Sequence, residues 1–255
     1  MKLSDLIELE KKEKKYLDRY YHFLMYAKDE LFEGFNSANT IRKDWQVKWN
    51  AGFDKGAERI VYSFFNTQGF GTHNSNPVAS DLFFETDDAF IHIDLKTVSS
   101  TNYGDGNVKY DVEQNQSSYV GPNFKPNLPF HYTVKKNNVK EKKVCLTYFI
   151  VIIYEKDNFD VLCMYISCMP NGNLHKTYGD EIITGGKNKG KNARYTWKNK
   201  YGFELLPVNK KKTKPKRIRI IHYDDTNTGQ NCLICDKKGE IKLKNNKKRK
   251  CKRCN

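Results

Sequence analysis

No run of the 255 residues approaches 18 consecutive apolar side chains, which removes a membrane-spanning helix from consideration. The segment Met1 to Asp5 lacks the apolar stretch of a secretory signal, so a soluble, cytoplasmic protein is expected. Internal repeats are missing too, and nothing points to a repeat array. The seven cysteines are odd in number and four of them form two close pairs, a pattern that disfavours a disulfide framework. Apolar residues make up 38% and aromatics 13%, enough for packed sheets and too much for a disordered chain. One domain with a small appendage is expected at this length, and two compact units at most.

Acidic residues run short toward the C-terminus. From Pro207 onward there are 17 Lys/Arg and 4 Asp/Glu, so this segment holds +13 of the net +15 and the first 206 residues hold +2. Such asymmetry favours a polyanion, nucleic acid first, because each cation near a phosphate releases condensed counterions. A merely solubilising surface has the same composition, and charge alone does not separate the two.

Residues 3 to 33 contain neither Pro nor Gly and are rich in Leu, Lys, Glu and Tyr, which predicts one long amphipathic helix ending at Gly34. A second helix is expected from about Asp54 to Asn66, with Ala57, Ile60, Val61, Phe64 and Phe65 on its core face. Asp81 to Glu85 and Ala89 to Val98 read as a hairpin turning at Thr86-Asp87-Asp88. Val144 to Tyr154 and Phe159 to Ser167 read as central strands, and Ile218, Ile220 and His222 as part of a later one. Asp224 to Gln230 has the composition of a linker.

Acid-x-Lys pairs abound, at Glu10, Glu13, Glu141, Asp236 and Glu240, so the bare spacing decides nothing. Asp94-Leu95-Lys96 differs because strand alternation puts Ile91, Ile93 and Leu95 on one face and His92, Asp94 and Lys96 on the other. Partner numbers in the hairpin should sum to about 173 to 175, which sets Asp81 opposite residues 92 to 94. Two carboxylates then converge beside one lysine. Asp81 and Asp94 are hard oxygen ligands suited to Mg²⁺, which polarises a phosphate and acidifies bound water, with Lys96 left to position or activate the nucleophile. Glu58, bordering the second helix's apolar stripe, points toward the same sheet and is a candidate for orienting a metal-bound water. An ordinary surface ion pair would look the same in the tripeptide alone; the conjunction with Asp81, Glu58 and the net charge favours a catalytic site.

Through Glu58, then Asn76-Pro77-Val78-Ala79-Ser80-Asp81, then Ile93-Asp94-Leu95-Lys96, the chain resembles the PD-(D/E)XK nuclease superfamily. Ser80 stands where the family's signature has proline, a change that touches no metal ligand. Over roughly residues 40 to 120 the likeness is to bacterial or archaeal type II restriction endonucleases. That resemblance implies an α/β fold, a mixed central β-sheet flanked by helices, and a Mg²⁺-dependent, sequence-specific hydrolase acting on double-stranded DNA. It further implies a companion DNA methyltransferase that protects host sites, and symmetric DNA targets suggest a homodimer.

DNA contacts are expected from two places. Amides after the catalytic strand, Gln114, Asn115 and Gln116, can reach phosphates or base edges, and a plain polar surface turn has the same composition. The glycine-rich basic stretch 185–194 reads as a flexible loop carrying Lys187, Lys191, Asn192 and Arg194, and the Arg194 guanidinium is the preferred guanine reader.

Cys232-Leu233-Ile234-Cys235 and Cys251-Lys252-Arg253-Cys254 are separated by fifteen residues, the spacing of a closed, structural four-cysteine Zn²⁺ site. Cys145, Cys163 and Cys168 fall in strand-rich segments and read as packing residues. The expected organisation is a nuclease domain over residues 1–225 and a basic zinc ribbon over 226–255 that adds affinity for DNA. Two further readings stay open: a repair or structure-selective nuclease, and a non-enzymatic zinc-ribbon DNA-binding protein.

Overall fold

Two apolar runs set the middle of the sheet. Val139–Tyr154 (β6) and Val161–Met169 (β7) pair antiparallel, and their side chains are buried almost without break from Cys145 to Ile153 and from Leu162 to Met169. A strand covered on both faces needs no polar alternation, which is why these stretches read as continuous hydrophobic runs. The structure, a computed structural model, describes residues 1–36, 53–67, 72–73, 81–99, 109–136, 138–155, 159–185, 193–196, 201–208, 213–224, 240–242 and 248–250.

The remaining strands of the main sheet are β1 (Thr72–His73), β2 (Leu82–Glu85), β3 (Ala89–Ser99), β5 (His131–Lys136) and β10 (Ile218–Tyr223). Their order is β1-β2-β3-β6-β7-β10, with β5 folded back on the first part of β6. β3 and β6 run parallel, Asp94 beside Phe149, whereas the other pairs are antiparallel, so the sheet is mixed. The β5–β6 hairpin turns through Asn138 at φ 64°, a left-handed conformation that asparagine tolerates, and it starts β6 five residues before the expected Val144. A second sheet joins β4 (Lys109–Val112), β9 (Ala193–Thr196) and β8 (Ile183–Thr184), and β11 (Glu240–Lys242) pairs with β12 (Lys248–Lys250).

One face of the main sheet carries helices. α1 (Leu3–Tyr26) packs on β7 and β10, and α3 (Phe53–Thr67) on β3. Leu17, Tyr20 and Leu24 on α1 and Phe53, Ala57, Val61 and Phe65 on α3 repeat at helical spacing and are all buried. Tyr20 meets Tyr148 edge-on at 5.6 Å, and Phe65 stacks on Phe84 at 6.0 Å. The opposite face is covered by the small sheet, whose Tyr110 and Tyr195 rings lie 4.6 and 6.3 Å from Phe149. The mixed α/β architecture expected from sequence is what is observed.

The long first helix differs from expectation. It breaks at Ala27, and residues 28–36 form a separate helix (α2) that runs through Gly34 rather than stopping there. A Cβ built on Gly34 would lie 3.1 Å from Ile60 Cγ2, so this glycine permits the close approach of α2 to α3 instead of ending a helix.

Arg217, wholly buried, fastens α1 to the far edge of the sheet. Its Nη2 lies 2.6 Å from Glu13 Oε2 and 3.4 Å from Glu10 Oε1, and its Nε donates to the Tyr178 hydroxyl at 2.9 Å. Glu10 also accepts backbone N–H groups from Glu204, Leu205 and Leu206. Two of the Glu-x-Lys pairs in the sequence are thereby accounted for as structural.

Candidate active site

The β2–β3 hairpin has the register in which partner numbers sum to 175: Leu82 faces Ile93, Phe83 faces His92 and Glu85 faces Phe90. Its turn is held from outside. The Tyr16 hydroxyl on α1 bonds Thr86 Oγ1 at 2.8 Å and contacts Asp88, while the buried Lys143 ammonium reaches Glu85 Oε1 at 2.5 Å and the Thr86 carbonyl at 2.9 Å. With both ends of the turn anchored, a one-residue slip that would invert every side chain on β3 is blocked.

Alternation along β3 then does what the pattern requires. Ile91, Ile93 and Leu95 enter the main core, and Phe90, His92, Asp94 and Lys96 occupy the other face. That face is not an exposed surface: His92 is fully buried, its ring edge-on to Phe83 at 4.4 Å, and burial lowers its pKa to about 3. Neither ring nitrogen of His92 has a hydrogen-bond partner among the described residues.

Asp94 is 4% exposed. Its Oδ1 accepts a hydrogen bond from Gln116 Nε2 at 2.9 Å, and its Oδ2 lies 2.5 Å from Lys96 Nζ, a contact of charges rather than an aligned hydrogen bond. Burial pushes the Asp94 carboxyl up to about 7; Lys96 opposes that shift, and the charges of Asp81 and Glu58 add to it. Asp81 immediately precedes β2, and its Oδ2 accepts the Leu95 backbone N–H at 2.5 Å. Although the Asp81 residue is exposed on one side, burial of the carboxyl raises its pKa, with the Leu95 N–H and Lys96 acting to lower it. Lys96 keeps 22% of its side-chain surface exposed, so its ammonium stands at the edge of this group. Glu58, on α3 and half-buried, is close enough for its charge to be felt at Asp94.

A buried carboxylate whose ionisation is made costlier by two neighbouring acids, beside one lysine, forms a site whose electrostatics improve when a cation enters. Among the described residues no three His, Cys, Asp or Glu side chains gather tightly enough to hold a metal ion unaided. Mg²⁺ does not ask for that. It is typically held by one or two carboxylates, keeps several waters and takes substrate phosphate oxygens, so the Asp81 and Asp94 donor set fits it.

The expected DNA-contact residues divide. Gln114 is exposed and Asn115 half-buried, on a turn that precedes the covered segment 116–119. Arg194 lies on strand β9 rather than in a loop, its Nε 2.8 Å from Asp111 Oδ1 and its side chain 12% exposed; β9 forms because it finds partners in both β4 and β8. Lys187, Lys191 and Asn192 fall outside the described residues, as do Cys232, Cys235, Cys251 and Cys254. Gln116, on the same turn as Gln114 and Asn115, points inward onto Asp94, and nothing in the local sequence signals it.

The family description "Type II restriction enzyme MwoI, N-terminal domain" matches residues 5–158, more than half of the chain and all of Glu58, Asp81, Asp94 and Lys96. The chain belongs to the MwoI family of type II restriction enzymes. The family's central domain matches residues 161–223, from β7 through β10, so the two matches end before the cysteine pairs. A search among curated protein sequences gives no match. Among solved structures the chain is similar to the restriction endonuclease BglI bound to its DNA recognition sequence, with a TM-score of 0.65, 17% identity, and 87% of this chain and 93% of that one covered. It is also similar to the tetrameric restriction endonuclease SfiI bound to cognate DNA, with a TM-score of 0.62, 14% identity and 86% of each chain covered. At these identities the likeness establishes the fold, a mixed sheet with few helices.

Proposed function

We propose that this member of the MwoI family is a Mg²⁺-dependent endonuclease that hydrolyses phosphodiester bonds at a specific sequence in double-stranded DNA. The observation that supports this reading is the gathering of Asp81, Asp94, Lys96 and Glu58 at one end of the β2–β3 hairpin, on a chain whose family is one of restriction enzymes. Asp81 and Asp94 would hold the cation, which supplies charge neutralisation at the phosphate and a more acidic bound water. The Lys96 ammonium, held by Asp94 and still open to solvent, positions the attacking water and meets the charge that develops on the phosphate. Glu58 orients water from the helix side. BglI and SfiI are described bound to DNA, SfiI as a tetramer, and a homodimer matched to a symmetric site is the assembly proposed for this chain. A separate DNA methyltransferase would protect the host's copies of that site.

Incubation of plasmid DNA with the protein and Mg²⁺ should yield discrete fragments whose mapped ends share one sequence, and a chelator should abolish them. A smear, or cutting confined to branched DNA, would replace this reading with that of a repair nuclease; DNA left intact would refute it. Arg194 remains the proposed base-reading residue, with Gln114, Asn115, Lys187, Lys191 and Asn192 as its neighbours in the DNA interface. An R194A variant that cuts the same site at the wild-type rate would remove it from that role.

For the C-terminal segment we propose a Zn²⁺ site made by Cys232, Cys235, Cys251 and Cys254. Between the two cysteine pairs β11 and β12 form an antiparallel hairpin, Glu240 facing Lys250 and Lys242 facing Lys248, which suits a ribbon closed at one end by metal. Elemental analysis should find one zinc per chain, lost in a C232S/C235S variant; zinc-free protein with full activity would contradict the assignment.

A further inference from the structure

Beside the carboxylates lies one buried side chain to which the proposed mechanism gives no task. Gln116 is 5% exposed, and its two amide ends are both engaged. Oε1 accepts the backbone N–H of Glu113 at 2.8 Å, and Nε2 donates to Asp94 Oδ1 at 2.9 Å. A backbone N–H can only donate, so the first bond fixes the amide's orientation and leaves its NH₂ end facing Asp94. The segment that carries it is itself braced: Gln116 N–H bonds the Glu113 carbonyl at 3.0 Å, and Asn127 N–H bonds the Gln114 carbonyl at 2.7 Å. A carboxylate on a strand can rotate about its terminal torsion, and a fixed donor on one oxygen removes that freedom. With Oδ1 taken, Asp94 offers Oδ2 to Lys96.

We propose that Gln116 is a positioning residue for the candidate nuclease site: it selects which oxygen of Asp94 faces Lys96 and the cation, and holds that oxygen there through the 113–116 turn. The inference rests on the nuclease reading of Asp81 and Asp94. Partners of this kind, which hold a ligand without touching the metal, typically contribute 10- to 100-fold to metal affinity or rate.

The test uses the full chain with Q116A, Q116N and Q116M. Asn is one methylene too short to span Glu113 and Asp94, and Met keeps the length of the side chain but can neither accept from Glu113 nor donate to Asp94 as the amide does. Ca²⁺ affinity is measured by titration calorimetry, and plasmid cleavage is followed across Mg²⁺ concentrations. All three variants should weaken Ca²⁺ binding about 10- to 100-fold and raise the Mg²⁺ concentration for half-maximal cleavage by a similar factor, with duplex binding in chelator unchanged within about twofold. Should Q116A fold poorly, the near-isosteric Q116M carries the comparison. Variants that match wild type in Ca²⁺ affinity and Mg²⁺ dependence, in a wild type that binds Ca²⁺ and cuts, overturn the positioning role alone. A wild type that neither binds Ca²⁺ nor cuts overturns the nuclease reading and this inference with it.

Discussion

Replacing Arg217 with methionine is the sharpest perturbation the core offers. Arg217 is wholly buried between two carboxylates, with the Phe203 and Tyr178 rings 4.2 and 4.6 Å from its guanidinium carbon. Methionine fills much of the same stem and removes the charge. Glu10 would keep the Tyr178 hydroxyl and the N–H groups of Glu204, Leu205 and Leu206, but Glu13 would keep only the Asn171 N–H at 2.7 Å. The loss therefore falls on Glu13. Removing one partner of a buried ion pair costs about 3–5 kcal/mol, which at about 2–4 °C per kcal/mol for a chain of this size lowers Tm by about 6–20 °C. Burial already holds the Glu13 carboxyl above the usual range against the pull of Arg217, and without the guanidinium it rises further. An acid whose pKa is raised on folding binds more protons folded than unfolded, so the destabilisation of R217M should shrink as pH falls toward the unfolded value near 4.3. Urea unfolding at pH 8 and pH 5 measures both effects, and adding E13Q to R217M should return at least about 1 kcal/mol at pH 8 by removing the uncompensated charge. R217M within 1 kcal/mol of wild type at pH 8, or a deficit independent of pH, would refute the buried network as the element that fixes α1 to the sheet.

His92 predicts an acid slope of its own. The unfolded imidazole takes up a proton below about pH 6.5, the folded one only near pH 3, so its contribution to stability is complete above 6.5 and declines between 6.5 and 3, at up to about 1.4 kcal/mol per pH unit. Urea titrations of H92L between pH 7 and pH 4 should lack that component; an unchanged slope would show that the ring is not buried neutral. At Gly34, valine should cost about 1–3 kcal/mol through Ile60, whereas in G34A the gain of about 0.5–1 kcal/mol in helix propensity offsets the shift needed at 3.1 Å. Thermal unfolding of the pair separates the two effects, and a G34V as stable as G34A would mean that α2 and α3 do not approach closely there.

How much of this could be read from sequence follows from the range of the interactions concerned. The β2–β3 hairpin was legible because its turn and the alternation from Phe90 to Lys96 are local, so the sum of 175 fell within the expected register. The mixed character of the sheet came only with the resemblance, since the parallel pairing of β3 with β6 joins residues some fifty positions apart. Gly34 misled because a glycine that ends a helix and one that admits a neighbouring helix look alike until Ile60 is beside it. The glycine-rich run before Arg194 predicts a loop, whereas β4, which recruits it into a strand, lies more than eighty residues earlier. The partners of Glu10 and Glu13 at Arg217 are about two hundred residues away, beyond any periodicity. Gln116 sits twenty-two residues from Asp94, and nothing in its neighbours marks it as turned inward.

Cleavage and binding measured on one variant test the central claim most directly. D94N keeps the shape of Asp94 and the Gln116 contact is retained through Oδ1, but the charge that pairs with Lys96 and would hold the cation is gone. Plasmid fragments formed with Mg²⁺ should fall at least about 100-fold below wild type while duplex binding in chelator stays within a few-fold, since the loss of a ligand should exceed the loss of its supporting partner. D94N that cuts at the wild-type rate would contradict the account.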